Sequence, residues 1–262
     1  MRPILFLDSG IGSLPYGIFF HSRNPGERLI CAADRANFPY GPKSRETLME
    51  LLSSLTEKLI SLYDPKILGI VCNTATVSAL AVLRERFPDI PIVGTVPAIK
   101  PAVLASKKRC IGVLGTQRTI DDPYITELAL QYGPDCAITG EAAPDLVEFV
   151  EHHWADADTE ERLEAVKPWV KRILSKGADA LVLACTHFLL LKDEFQSAGG
   201  SELRIFDSVE GISRRVESLL DSRGLRSPGE EQPLFLAVTG EGTLEGYWEK
   251  LAAHFKIALE RI

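Results

Sequence analysis

Eight short apolar runs set the strongest constraint on this chain: PILFLD at 3–8, LICAAD at 29–34, ILGIVC at 67–72, IVGTVP at 92–97, CIGVLG at 110–115, CAITGE at 136–141, ALVLAC at 180–185 and LFLAV at 234–238. Each is too short for a buried helix, and most end at Gly, Asp or Cys. Runs apolar at successive positions, rather than alternating, belong to strands buried on both faces, which is the signature of a parallel sheet. Between them lie helical patterns. Leu48, Leu51, Leu52, Leu55, Leu59 and Leu62 mark one helix, and Leu163, Val166, Val170, Ile173 and Leu174 mark another that Gly177 should stop. Strand and helix in alternation predict an α/β protein of the doubly wound kind, with mainly parallel sheets.

The rhythm also repeats. FLDSGIGS places a polar turn after a strand, as VLGTQRTI does, and GIVCNTAT places a cysteine there, as VLACTHFL does. The halves therefore read as two pseudo-symmetric α/β domains. The proline-bearing GTVPAIKP at 94–101 marks the crossing, and Phe206 to Ser208 the return. The expected division is residues 1–96 with 207–262 as a discontinuous first domain, and 97–206 as the second.

With 262 residues, 45% hydrophobic and 25% charged, the chain has ample material for a large core. A net charge of −7, with no basic cluster longer than Lys107–Arg109, excludes a nucleic-acid footprint and a membrane-surface patch, so a small-molecule substrate is expected. No apolar stretch approaches a membrane span, and MRPILFLDSG reaches an acid too soon for a secretory signal. A cytoplasmic location is expected. Five cysteines, odd in number and not closely paired, suit reduced thiols rather than a disulfide framework.

Two of these thiols stand out. Cys72 and Cys185 both follow an apolar strand and precede a polar turn that opens a helix. In open α/β sheets the carboxyl ends of strands are where ligands bind, because the next helix begins there with free N–H groups and the positive end of its dipole. That setting lowers a thiol's pKa toward a usable thiolate. Cys31, Cys110 and Cys136 lie within or at the start of strands and read as small buried hydrophobes. Asp8 and Ser9 are polar groups at a strand end, suited either to a tight turn or to an ammonium ligand.

Metal and nucleotide chemistry find no support. CTH at 185–187 and the adjacent His152 and His153 do not supply a four-ligand set, and no CxxC or HExxH occurs. GIG at 10–12 lacks the third glycine of a dinucleotide fingerprint, since Pro15 stands there, and no Walker loop is present.

DSGIGS at 8–13, PYGPKS at 39–44, CNTAT at 72–76, VPAIKPA at 96–102, GVLGTQRT at 112–119 and CTHFLLL at 185–191 resemble, in order and spacing, the motifs of the glutamate racemases within the cofactor-independent aspartate/glutamate racemase family. The resemblance implies an active site between two pseudo-symmetric domains and no pyridoxal phosphate, flavin or metal. It implies that Cys72 and Cys185 are the two catalytic bases, with Asp8 beside the first and His187 with Glu151 beside the second. It further implies that Asp8, Ser9, Tyr40, Gly41, Asn73, Thr74, Thr116, Thr186 and His187 bind the substrate, and that Cys72 takes the proton of the D-isomer.

Racemisation explains the pair, because one base must remove the Cα proton on one face while an acid returns a proton to the other. The activity this implies is interconversion of L- and D-glutamate, supplying D-glutamate for bacterial peptidoglycan synthesis and so for cell-wall shape. An aspartate or hydantoin racemase is the alternative within the family. A silent amino-acid-binding protein on the same fold is the alternative outside it. A homodimer is compatible with this reading, and nothing in the sequence sets the oligomeric state. The chain departs from the family pattern at Ser13, Arg118, Ala143 and Leu189, where glycine, glycine, cysteine and proline are usual; none of these is a proposed catalytic group.

Overall fold

A computed structural model describes residues 1–244 and 246–262. From the N-terminus, β1 (Ile4–Asp8), α1 (Ser13–Arg23), β2 (Leu29–Ala33), α2 (Arg45–Tyr63), β3 (Ile67–Ile70), α3 (Asn73–Arg86) and β4 (Ile92–Gly94) follow one another. Next come α4 (Ile99–Ala105), β5 (Cys110–Gly115), α5 (Gln117–Asp121), α6 (Pro123–Tyr132), β6 (Ala137–Ala142), α7 (Pro144–His152), α8 (Thr159–Ser175), β7 (Ala180–Ala184), α9 (Lys192–Gly199) and β8 (Arg204–Phe206). The chain closes with α10 (Val209–Ser222), β9 (Leu234–Val238), α11 (Tyr247–Phe255) and β10 (Ala258–Arg261). The described residues divide into two compact units, Met1–Val96 with Val209–Ile262, and Pro97–Ser208.

Each unit has its own all-parallel sheet. The first runs in the order β10-β9-β2-β1-β3-β4 and the second β6-β5-β7-β8. The block β2-β1-β3-β4 and the whole of β6-β5-β7-β8 share one winding: the first strand of each pairs with both its second and its third. That repeat is the pseudo-symmetry expected from the strand-turn echoes in the sequence. It also fixes a switch point in each unit, between β1 and β3 and between β5 and β7, where successive connections depart in opposite directions and leave a crevice at the strands' carboxyl ends.

The eight apolar runs are all strands. Two further strands, β8 and β10, carry Arg204 and Arg261 in four residues or fewer and lack the continuous apolar run that marks the others. Both are edge strands, exposed on one side, so burial did not select their composition.

In the first unit Leu48, Leu52, Leu55 and Leu59 of α2 are buried against Leu5, Leu7, Leu68 and Ile70 of the sheet. Side chains of this size stabilise by about 1.5–3 kcal/mol each on full burial. Leu62, in the same apolar pattern, is 54% exposed, because the helix ends one residue later at Tyr63, before Asp64 in the left-handed conformation (φ 44°). Ser44 caps the other end by accepting from the Thr47 N–H at 3.1 Å. Close helix–sheet approach is built into Gly17 of α1, where a Cβ would lie 2.2 Å from Cys31 Sγ.

The second unit has its core on Ile111, Val113, Ala180 and Val182 of the sheet, covered by Ile99, Ala102, Val103, Ile125 and Ala129 of α4 and α6. α8 begins at a capping box, with Asp158 accepting from the Glu160 and Glu161 N–H groups and Glu161 accepting from the Asp158 N–H. It ends before Gly177, whose φ of +85° no β-carbon-bearing residue adopts readily. Among the described residues no helix is long and apolar enough to cross a membrane.

Candidate active site

In the first unit the carboxyl ends of β1, β2 and β3 carry the expected residues. Asp8 closes β1, is fully buried, and accepts from the Gly10 N–H at 2.9 Å, which turns the chain sharply and buries Ser9 beside it. Cys72 follows β3 as the N-cap of α3, still extended (φ −130°, ψ 120°), and its carbonyl accepts from the Thr76 N–H to start the helix. Asn73 and Thr74 form the first helical turn, both buried. Oδ1 of Asn73 is buried and has no hydrogen-bond partner among the described residues, so a donor placed there would satisfy it.

After β2 comes a network that the sequence did not reveal. Asp34, fully buried, accepts from the Tyr40 hydroxyl at 2.6 Å, the Thr239 hydroxyl at 2.6 Å and the Asn37 amide at 3.0 and 3.1 Å. Tyr40 itself is 1% exposed, and the half-buried Gly41 follows it in the same turn. Burial, then the Asp34 charge and hydrogen bond, and then Cys72 and Asp8 hold the Tyr40 phenol well above its ordinary pKa. Tyr40 therefore stays a neutral hydroxyl within electrostatic reach of Cys72. The signal for Asp34 was present, since LICAAD ends in an acid at a strand terminus just as PILFLD does.

In the second unit the equivalent positions are differently furnished. Thr116, the N-cap of α5 after β5, accepts from the Thr119 N–H at 3.3 Å. Cys185 follows β7 as the N-cap of a 3-10 helix, Thr186–Leu191, again extended (φ −134°, ψ 132°). Thr186 and His187 open that helix and are buried. His187 Nδ1 lies 3.9 Å from Cys185 Sγ, and its Nε2 lies 2.8 Å from Glu151 Oε2 near the end of α7. Both ends of that hydrogen bond are shielded from solvent, with side chains 3% and 1% exposed. With Glu151 ionised the proton sits on Nε2, leaving Nδ1 toward the thiol. Of the expected residues, then, Asp8, Ser9, Tyr40, Gly41, Cys72, Asn73 and Thr74 lie in the first unit, and Thr116, Glu151, Cys185, Thr186 and His187 in the second.

The other thiols are chemically quiet. Full burial, with Asp8 nearby, pushes Cys31 up to about 12 despite its contact with the Ser13 carbonyl. Burial likewise raises Cys110 and Cys136. No group of three or more His, Cys, Asp or Glu side chains is disposed to hold a metal ion among the described residues.

The chain is similar to known proteins over most of its length. A glutamate racemase of Treponema pallidum (strain Nichols) is 41% identical over 211 residues, 80% of this chain and 78% of its own. One from Sphingopyxis alaskensis is 40% identical over 223 residues, 84% of this chain and 83% of its own. Among solved structures, Escherichia coli glutamate racemase in complex with L-glutamate and the activator UDP-MurNAc-ala matches at a TM-score of 0.88 and 29% identity, covering 100% of this chain and 98% of that one. The Asp/Glu/Hydantoin racemase model spans residues 21–213, from α1 to α10 and through both cysteine turns, and the chain is therefore a racemase of that family.

Proposed function

We propose that this racemase interconverts L- and D-glutamate without a cofactor, by proton transfer at Cα between two cysteines. One observation carries the reading: in each sheet the third-wound strand, at its own switch point, is followed by a buried cysteine at the N-cap position of the next helix. A nucleophilic enzyme needs one such thiol, whereas racemisation needs two. The two sides also differ in support, Cys185 having His187 and Glu151, and Cys72 lying with Asp8 in the electrostatic surroundings of Tyr40.

In the D-to-L direction the Cys72 thiolate takes the Cα proton, the C–H electron pair passes into the α-carboxylate, and the Cys185 thiol returns a proton to the opposite face. The substrate ends with one proton exchanged and its configuration at Cα inverted, every other bond unchanged. The thiols have traded protonation states, and the reverse reaction restores them. His187 presents Nδ1 to accept from the Cys185 S–H and draw off its proton, while Glu151 holds the ring through Nε2 and balances the charge it gains. Asn73, Thr74, Thr116, Thr186, Ser9 and the Tyr40–Gly41 turn supply amides and hydroxyls for an ammonium and two carboxylates, in keeping with the compact polar character of these residues. The named relatives make glutamate the substrate of choice, and a cytoplasmic enzyme making D-glutamate for peptidoglycan follows from that choice.

The test is loss of circular dichroism from pure L-glutamate, and gain from pure D-glutamate, with purified protein and no added cofactor, beside L-aspartate and a 5-substituted hydantoin. Convergence of both glutamate signals to zero is the expected result. Turnover of aspartate or hydantoin alone reassigns the substrate, and turnover of none makes the chain a binding protein.

A further inference from the structure

We infer that Trp154 is a positioning residue for the Cys185 side of the reaction, fixing the spacing between the helix that carries Glu151 and the turn that carries His187. The inference rests on the racemase reading for its kinetic consequences only.

Glu151 and His187 come from different elements, and the 2.8 Å bond between them requires α7 and the 3-10 helix Thr186–Leu191 to hold one separation. Trp154 spans that gap. It lies two residues beyond α7, where its own N–H, like that of His153, donates to the Phe149 carbonyl and so tightens the helix end. Its indole Nε1–H then donates across to the Leu190 carbonyl, at 2.9 Å, within the 3-10 helix that opens with His187. The ring is 5% exposed. A third element closes over it: Arg162 of α8 places Cζ 4.4 Å from the ring centroid. Arg162 Nε is buried with no hydrogen-bond partner among the described residues, so its contact there is with the ring face.

Leu190 is the fifth residue of a six-residue helix whose second residue is His187. An anchor at Leu190 limits how far that short helix can slide along α7, and 3-10 helices have little internal hydrogen bonding with which to resist such movement. The hydrogen bond thus holds the imidazole between Glu151 and the thiol, although Trp154 is not itself part of the relay. A tryptophan both fills the space between the three elements and carries a donor at its far edge.

The experiment is Trp154→Phe in the full chain, which keeps an aromatic body and removes the donor. The expected result is a kcat lower by about tenfold in both directions with KM little changed, as a small misplacement of a proton-transfer group produces. The Cα-deuterium isotope effects should shift in the same directional pattern as in His187→Asn. Independently of turnover, the His187 Nε2–H signal in histidine-labelled protein should move or broaden by faster exchange. A lowered melting temperature with unchanged kcat, isotope effect and His187 signal makes Trp154 merely structural and overturns the inference. If Trp154→Phe does not fold, Trp154→His, which keeps a ring but shortens the reach to the Leu190 carbonyl, carries the same readings, and unchanged values there overturn it equally. Wild-type protein that does not racemise glutamate overturns the proposed function, while the His187 signal still decides the role of Trp154.

Discussion

Cys72 and Cys185 hold nearly the same backbone conformation, φ −130°, ψ 120° and φ −134°, ψ 132°, each the last extended residue before a helix and each 5% exposed. The equivalence is local and follows from the shared winding of the two sheets. What surrounds the two thiols is not equivalent, and from that difference the predictions follow.

Changing either thiol should stop racemisation while leaving the fold. Cys72→Ala or Cys185→Ala removes the base or acid for one face, and a fall of about a thousandfold or more is expected in both directions. The circular dichroism of pure L- and D-glutamate measures it, with the far-ultraviolet spectrum of the protein as the control for folding. Full activity in either variant excludes the two-thiol mechanism.

Proton exchange offers a second check. A thiol that equilibrates with water between abstraction and return should deliver solvent hydrogen, so product formed in heavy water should carry deuterium at Cα. Proton magnetic resonance of the product at low conversion reads this directly. Product with protium at Cα requires internal transfer instead.

The unequal supports predict a directional signature. For His187→Asn, kcat and KM can each change differently from the two enantiomers, but kcat/KM must fall by one factor both ways, because the equilibrium between mirror-image isomers is fixed near unity. Cα-deuterium isotope effects measured from each enantiomer should shift in opposite patterns for His187→Asn and Asp8→Asn. Identical patterns would place the two residues on the same side of the chemistry.

Tyr40→Phe tests the Asp34 network. It removes one of the buried carboxylate's donors, leaving Thr239 and Asn37, and should cost about 1–3 kcal/mol of stability by denaturant titration. The pH dependence has a definite sign. A phenol raised above its ordinary value of 10.0 contributes stability that is present below about pH 10 and is lost as pH rises toward the raised value. The wild type should lose that increment in alkali, and Tyr40→Phe should not.

A second pH effect lies away from the site, where Glu27 and Lys66, both nearly fully buried, pair at 2.5 Å beneath the first sheet. Burial alone would raise the Glu27 carboxyl, but Lys66 and the Ser227 N–H and hydroxyl outweigh it and hold it below 4.5. This contribution is present above about pH 4.5 and lost as pH falls through the lowered value. Glu27→Gln, leaving Lys66 buried without its counter-charge, should destabilise by about 3 kcal/mol at neutral pH and flatten the acid limb of the stability profile.

The strands and the two thiol-bearing turns were legible in the sequence because both are local. A strand buried on two faces must be apolar at every position, so PILFLD, ILGIVC, CIGVLG and ALVLAC declare themselves, and a cysteine next to such a run must stand at its end. Strands β8 and β10 were not legible, since each is four residues or fewer and partly exposed, which admits Arg204, Glu260 and Arg261.

Tertiary structure alone decided which distant groups meet. Nothing in the spacing of Asp34, Tyr40 and Thr239 tells that they share one buried hydrogen-bond network, because β9 reaches the side of β2 only through the return of the chain after the second unit. Spacing is equally silent on Glu151 and His187, which only the family resemblance paired, and on the indole of Trp154 on the Leu190 carbonyl. Periodicity reports whether a side chain faces water or core. It carries no record of which partner a buried polar atom finds, since that depends on the order in which strands wind into a sheet, and an unpaired buried charge or donor costs too much for the fold to leave the choice open.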